Sequence, residues 1–331
     1  MSLKPMIAGW LTAATLLLAL CGPAAPPAFA QAKERHLAYL TPGLDLPFWR
    51  YLAKGIADEA KKHNATVTNY DSHNDAATQL KNAQDAIARK VDGIMISPTD
   101  SSTAPSVLSL AAKANIPVVI ADIGTVSGSY VSFIISDNEK GAYDTGVALA
   151  AALKEHHWDK GPVGLVTISL ARNNGKARTK GFRDALKEHG GIKEVALDQM
   201  QRYTADETFK YVQDMLTAHP DLHGIFVQTD TPTLGAIRAI QAAHRQDSVL
   251  LAAFDGVPEF IDLIRQGKIV ASGMQQPYLM GERSAQALFD HFAGKTPPKE
   301  ILVPIIVVSQ KNLDKVLPTI TRTVFANELK K

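Results

Sequence analysis

Cysteine is almost absent from this chain, which carries a single thiol, Cys21, in 331 residues. That thiol lies in the one segment that reads as a leader, so the remainder has no disulfide, thiolate nucleophile or cysteine metal site. A dominant charge is missing too: 35 Lys and Arg face 33 Asp and Glu, for a formal net charge of +2. So small a balance provides no field to recruit nucleic acid or an anionic membrane, and the charges are interspersed as on solvated helix faces. Long apolar runs are lacking, since Met6 to Leu20 supplies about fifteen residues against the ~20 of a spanning helix. Gly-x-Ser-x-Gly, Gly-x-x-x-x-Gly-Lys-Ser/Thr and Gly-x-Gly-x-x-Gly do not occur, which removes the usual signatures of acyl transfer, phosphate cradling and dinucleotide binding.

What is present begins with Lys4, the apolar run Met6 to Leu20, and a Pro-rich stretch of small residues ending in Ala28-Phe29-Ala30. A basic start, a short apolar centre and an Ala-x-Ala end describe a secretory signal peptide. Residues 1–30 are therefore expected to be removed, leaving a mature chain from about Gln31 outside the cytoplasmic membrane. A lipoprotein signal ending at Cys21 is the alternative, disfavoured by the bulky Leu20 directly before it. Loss of Lys4, the only charged residue of that segment, takes the balance from +2 to +1. About 300 residues remain in a sequence that is 46% apolar, enough for a large core and ordinarily two domains.

From His36 short apolar runs alternate with segments of helical period. The runs are His36 to Leu40, Thr66 to Tyr70, Gly93 to Ser97, Pro117 to Asp122, Pro162 to Ile168, Gly224 to Gln228, Ser248 to Phe254 and Ile269 to Met274. Between them Phe48, Leu52, Ile56 and Ala60 mark one helix face, Leu80, Ala83 and Ile87 a second, and Phe209, Val212 and Met215 a third. Strand then helix, repeated, predicts an α/β chain of doubly wound parallel sheets. The series runs twice, from His36 to about Ser136 and again from Pro162, which predicts two lobes with a cleft between them. Turn-forming and polar residues close the runs, as in Thr41-Pro42-Gly43, Ser97-Pro98-Thr99-Asp100, Asp122, Gln228-Thr229-Asp230 and Phe254-Asp255-Gly256. Ligands of open α/β sheets lie beyond such carboxyl ends. Some of these residues are helix caps instead, a role that suits Asp100 and Asp230.

In the order and spacing of Pro47-Phe48-Trp49, Ser97-Pro98-Thr99-Asp100, Asn115-Ile116-Pro117, Ser136-Asp137-Asn138, Ala177-Arg178-Thr179-Lys180-Gly181-Phe182, Leu216-Thr217-Ala218-His219-Pro220 and Phe254-Asp255-Gly256, the chain resembles the type I periplasmic sugar-binding proteins of ABC transporters. That resemblance, spanning His36 to about Gln310, implies three crossovers, near Asp137, Gln275 and Pro304. The N-terminal lobe is then 33–136 plus 276–303, and the C-terminal lobe 137–275 plus 304–331, closing about the hinge. It further implies a periplasmic monomer that binds a sugar or polyol, passes it to an ABC permease of the inner membrane, and needs no cofactor or metal. Carried over by position, the contacts are Phe48, Trp49, Tyr203 and Phe254 as aromatic walls, with Ser97, Asp122, Asn174, Arg178, Thr229, Asp255 and Gln275 as polar partners. Asp45 or Leu46 covers one further position. Planar carboxylates, amides and guanidinium groups suit neighbouring hydroxyls bidentately, and aromatic faces cover the C–H surface. Ile123, Ser97 and Thr229 depart from the ribose-binding pattern, so the resemblance points to a different sugar, a polyol or a less polar relative.

Bland alternatives accompany these assignments. Phe48 continues into Leu52 and Ile56 and so suits a core, and Arg178 suits a surface ion pair of ~0–1 kcal/mol. An enzyme is the rival class, with Asp122, Asp230 and Asp255 as candidate carboxylates for glycoside hydrolysis, but no water-activating group accompanies them. Adjacent His156 and His157 diverge on a helix, and His63 with His73 lacks a carboxylate helper for a metal. A repressor of the related fold needs a DNA-binding motif where this chain has a leader. A binding protein that signals to a membrane receptor kinase shares the same cleft, and the residues alone leave that alternative open.

Overall fold

In the computed structural model, residues 1–2 and 34–329 are described. Apart from its first two residues, the leader expected over 1–30 lies outside them, Cys21 included. In chain order the first series is β1 (Arg35–Thr41), α1 (Pro47–Lys62), β2 (Ala65–Asp71), α2 (Ala76–Ala88), β3 (Gly93–Ile96), α3 (Ala104–Lys113), β4 (Val118–Ala121) and β5 (Ser132–Ser136). The second is α4 (Asn138–Glu155), β6 (Val163–Thr167), α5 (Asn173–Glu188), β7 (Glu194–Gln199), α6 (Ala205–Ala218), β8 (Gly224–Val227), α7 (Thr231–Ala242), β9 (Leu250–Phe254), α8 (Phe260–Arg265) and β10 (Ala271–Met274). The chain then returns through α9 (Pro277–Phe292) and β11 (Glu300–Val303), and ends on β12 (Ile306–Ser309) and α10 (Leu313–Thr323).

These strands form two six-stranded sheets, ordered β11-β5-β4-β3-β1-β2 and β12-β10-β9-β8-β6-β7. Every pairing is parallel except β10 with β12. The chain thus passes from one sheet to the other after β5, after β10 and between β11 and β12. The central strands β3, β4, β6 and β8 are buried along their whole length, as strands covered by helices on both faces must be. The edge strand β2 alternates exposed and half-buried residues instead. In both sheets the strand order reverses beside the first strand of its series, at β1/β3 and at β6/β8, and crevices open there beyond the carboxyl ends.

The predicted helix faces point inward: Leu52, Ile56 and Ala60 of α1 are inaccessible to solvent, as are Ala83 of α2 and Val212 of α6. Asp230 caps α7, its Oδ1 accepting from the Thr231 N–H at 2.7 Å. Asp100 is corrected: its Oδ1 accepts from the N–H groups of Ser102 and Thr103 in the preceding turn, and the cap position of α3 is Thr103. The strands β5, β7, β11 and β12 were not among the predicted runs: β7, β11 and β12 are half-buried or partly exposed strands at sheet edges, and β5 follows β4 with no helix between them, outside the strand-helix alternation.

Helices α1 and α9 cross backbone to backbone at Gly55 and Gly281. A methyl group on Gly55 would overlap the carbonyl oxygen of Tyr278, and one on Gly281 that of Leu52. Helix propensity alone favours Ala over Gly by about 1 kcal/mol, whereas overpacking against an immovable backbone costs about 1–3 kcal/mol. The close approach wins, so Gly55→Ala should destabilise the fold by about 1 kcal/mol net. A urea midpoint equal to or above that of the wild type would show that the helices can separate at no cost.

Candidate ligand-binding site

The carboxyl ends of both sheets converge on one narrow, partly enclosed space between them, the place where open α/β sheets hold their ligands. At its centre is Arg178, in the second turn of α5 and 2% exposed. Its Nη1 donates to Asp255 Oδ2 at 3.0 Å and to the Gln228 carbonyl at 2.7 Å, and its Nε donates to Asn138 Oδ1 at 2.8 Å. Beneath the guanidinium lies the ring of Phe254, 4.0 Å from Cζ to centroid. Asp255 Oδ1 accepts in turn from Gln275 Nε2 at 3.0 Å. Across the cleft Asp122 Oδ2 accepts from Asn174 Nδ2 at 3.0 Å. Asp122, Tyr203 and Asp255 hold left-handed backbone at φ +64°, +57° and +57°, a conformation costing an ordinary residue roughly 1–2 kcal/mol and concentrated at functional sites.

Of the candidates read from the sequence, Phe48, Trp49, Asp122, Asn174, Arg178, Tyr203, Thr229, Asp255 and Gln275 line this space together. Phe48 and Trp49 meet edge to face at 4.8 Å between centroids and serve both the core and the cleft. Three candidates stand elsewhere. Leu46 lines the space and Asp45 does not, because Arg50 Nη1 holds the carbonyls of Leu44 and Asp45 and so fixes how the loop turns. Ser97 is buried with its Oγ bonded to the Tyr39 hydroxyl at 3.0 Å. Phe254 packs behind the wall as the floor under Arg178. Ion pairing on the surface is excluded for Arg178 by its burial. Ile168 and Arg172, which sequence reasoning missed, also line the space. Arg172 occupies the N-cap position of α5, where a cation opposes the helix dipole, and that misfit is the one signal that could have found it.

The buried acceptors Asp122 Oδ1 and Gln275 Oε1 form no hydrogen bond of good geometry among the described residues, although the Gln275 side chain lies near enough to Asp122 to favour its ionised form. An unpaired buried acceptor costs about 1–3 kcal/mol, so the site is built to receive hydrogen-bond donors. Among the described residues no group of three or more His, Cys, Asp or Glu is placed to hold a metal ion, and none of the helices is long and apolar enough to cross a membrane.

Residues 37–296 match the family model described as a periplasmic binding protein domain. The ribose import binding protein RbsB of Escherichia coli K12 is 33% identical over 273 residues, covering 82% of this chain and 90% of the relative. The D-apiose import binding protein of Paraburkholderia graminis is 30% identical over 287 residues, covering 84% and 88%. In fold the chain is similar to a carbohydrate transporter solute-binding protein of Agrobacterium radiobacter solved with D-arabinose. That likeness has a TM-score of 0.81 at 23% identity, across 88% of this chain and 99% of the other.

Burial makes the carboxylates of the site reluctant to ionise. Desolvation raises Asp122 to about 6, with Arg178 pulling it down and Asp255 pushing it up. Asp230 is raised to about 7 by desolvation and then by the charge of Asp255. The folded chain therefore holds protons that the unfolded chain releases. The stability they contribute is complete below the ordinary carboxylate value of 3.8 and is lost as the pH rises through about 6 and about 7. Asp230→Asn, which keeps an oxygen for the cap, should consequently be more stable than the wild type at about pH 7.5 and should show a shallower loss of stability above about pH 4.5. Urea unfolding of both proteins at the two pH values checks this, and parallel pH profiles would mean that Asp230 is ionised throughout.

Proposed function

The chain belongs to the periplasmic binding protein family, and from that premise we propose that it captures a sugar or related polyhydroxylated small molecule around Arg178 and delivers it to an ABC permease. The observation that carries this reading is the union of bare buried acceptors on Asp122 and Gln275, the buried Arg178–Asp255 pair and the aromatic walls Phe48, Trp49 and Tyr203 around one enclosed space. Each sugar hydroxyl donates one hydrogen bond and accepts others. The acceptors then take hydroxyl protons, the guanidinium donates to hydroxyl oxygens, and the rings cover the C–H faces. Ile168 and Leu46 add an apolar stretch of wall, which favours a ligand with fewer hydroxyls on that side.

In this reading the two sheets are the cores of lobes formed by 33–136 plus 276–303 and by 137–275 plus 304–331. The lobes swing about the three connecting segments to admit and release the solute. Residues 1–30 are the signal peptide, the mature protein is a periplasmic monomer, and no bond of the solute is made or broken. Import rather than signalling is favoured by the relatives, which carry the names of import proteins.

A thermal-shift panel of pentoses, hexoses and polyols identifies the ligand, since binding to the folded state raises its melting temperature. With that ligand, Arg178→Ala and Asp255→Asn should each weaken calorimetric affinity by about 2–5 kcal/mol, circular dichroism confirming that the variants fold. Wild-type affinity in both variants would remove these residues from the site.

A further inference from the structure

Arg172 does more than line the cleft. From the second series it reaches across to the first, where its Nε donates to the Thr99 carbonyl at 2.8 Å and its Nη2 to Asn74 Oδ1 at 2.6 Å. Its inner face looks onto the enclosed space and stacks 4.9 Å over the Tyr203 ring, while only 5% of the residue is exposed. The next two residues continue the seam. The Asn173 N–H donates to Ser101 Oγ at 3.1 Å, and Asn174 Nδ2 donates to Asp122 at 3.0 Å. All of these bonds join the start of α5 to loops that follow β2, β3 and β4.

We propose that Arg172 is a latch whose single guanidinium both faces the solute and fastens the two halves, so that release of the solute requires the bonds to Thr99 and Asn74 to break. The proposal deepens the reading of the cleft as a solute trap and rests on it. A planar fork suits the task, because separate N–H groups of one rigid plane can serve Thr99, Asn74 and the cleft at once. Its location explains the cost accepted at the helix start: a cation at the N-cap opposes the dipole, and the cross-cleft partners offset it. Asn74 is the informative partner because it is exposed and does not line the cleft, so any effect it has on release acts through Arg172.

The test uses Asn74→Gly, Arg172→Ala and the double variant. Glycine suits position 74, where φ is +58° and a side chain other than Asn would be strained. Stopped-flow release of whichever of D-ribose, D-arabinose and D-allose binds the wild type is the first readout. The latch predicts that Asn74→Gly speeds release about three- to tenfold with association unchanged, and that it adds nothing once Arg172 is Ala. Wild-type release from Asn74→Gly, or effects of the two substitutions that multiply, would overturn the latch and leave Arg172 as a wall residue only. The second readout needs no sugar: a fluorophore pair, one on each half, reports the closed fraction of the unliganded chain. Both single variants should lower that fraction, Arg172→Ala the more because it loses the bonds to both Thr99 and Asn74, and a fraction equal to that of the wild type in both would overturn the latch. If the wild type binds none of the three sugars, the choice of solute fails while this second readout still decides on the latch.

Discussion

The buried guanidinium of Arg178 is the constraint on which the rest of the site depends. Taking a cation out of water costs several kcal/mol unless its hydrogens find partners of good geometry, and here the partners come from distinct parts of the second half. Asn138 opens α4, Gln228 follows β8, Asp255 follows β9, and Phe254 supplies a face below. Satisfying one side chain therefore fixes the relative positions of a helix start and two strand ends. Asp255, bonded on one oxygen to Arg178 and on the other to Gln275 at the end of β10, extends the same network to where the chain leaves the second sheet. A polar network of this kind is rigid when fully paired and costly when any member is lost.

Burial sets the electrostatics of the cleft. Three buried carboxylates, Asp122, Asp230 and Asp255, are all raised by desolvation, and Asp122 and Asp230 also feel the charge of Asp255. Arg172 and Arg178 face the same space and balance what negative charge remains, and Asp122 and Gln275 each keep one oxygen without a well-formed hydrogen bond among the described residues. Aromatic residues supply apolar burial and orientation. The seam of residues 172–174 closes the side of this space with bonds that both halves must share.

Much of the fold was legible because buried parallel strands are written as apolar runs: Gly93-Ile94-Met95-Ile96 and Val118-Val119-Ile120-Ala121 have no polar face to show. Glu194–Gln199 lacked that signature because it lies at a sheet edge with every residue half-buried, and β11 and β12 are likewise edge strands that are not buried along their length. Strand ends pointed to the candidate site, since turn and polar residues cluster where the sheet stops and nine of the residues read there line one space. Sequence position could not decide direction, however. Ser97 sits at such an end and turns back to the Tyr39 hydroxyl, and Phe254 turns beneath Arg178, while the loop after β1 presents Leu46 in place of Asp45. Arg172 left only its misfit at the start of α5 as a signal, because its partners are contributed by loops about 70 to 100 residues away in the chain and no local pattern encodes such bonds.

The central claim is that two hinged halves close around a solute held by hydroxyl groups. Small-angle scattering of the protein alone and saturated with a sugar that binds it measures that movement directly. The account predicts a smaller radius of gyration in the saturated protein. Superimposable curves at full saturation would contradict it, because the solute would then enter and leave a site that never opens.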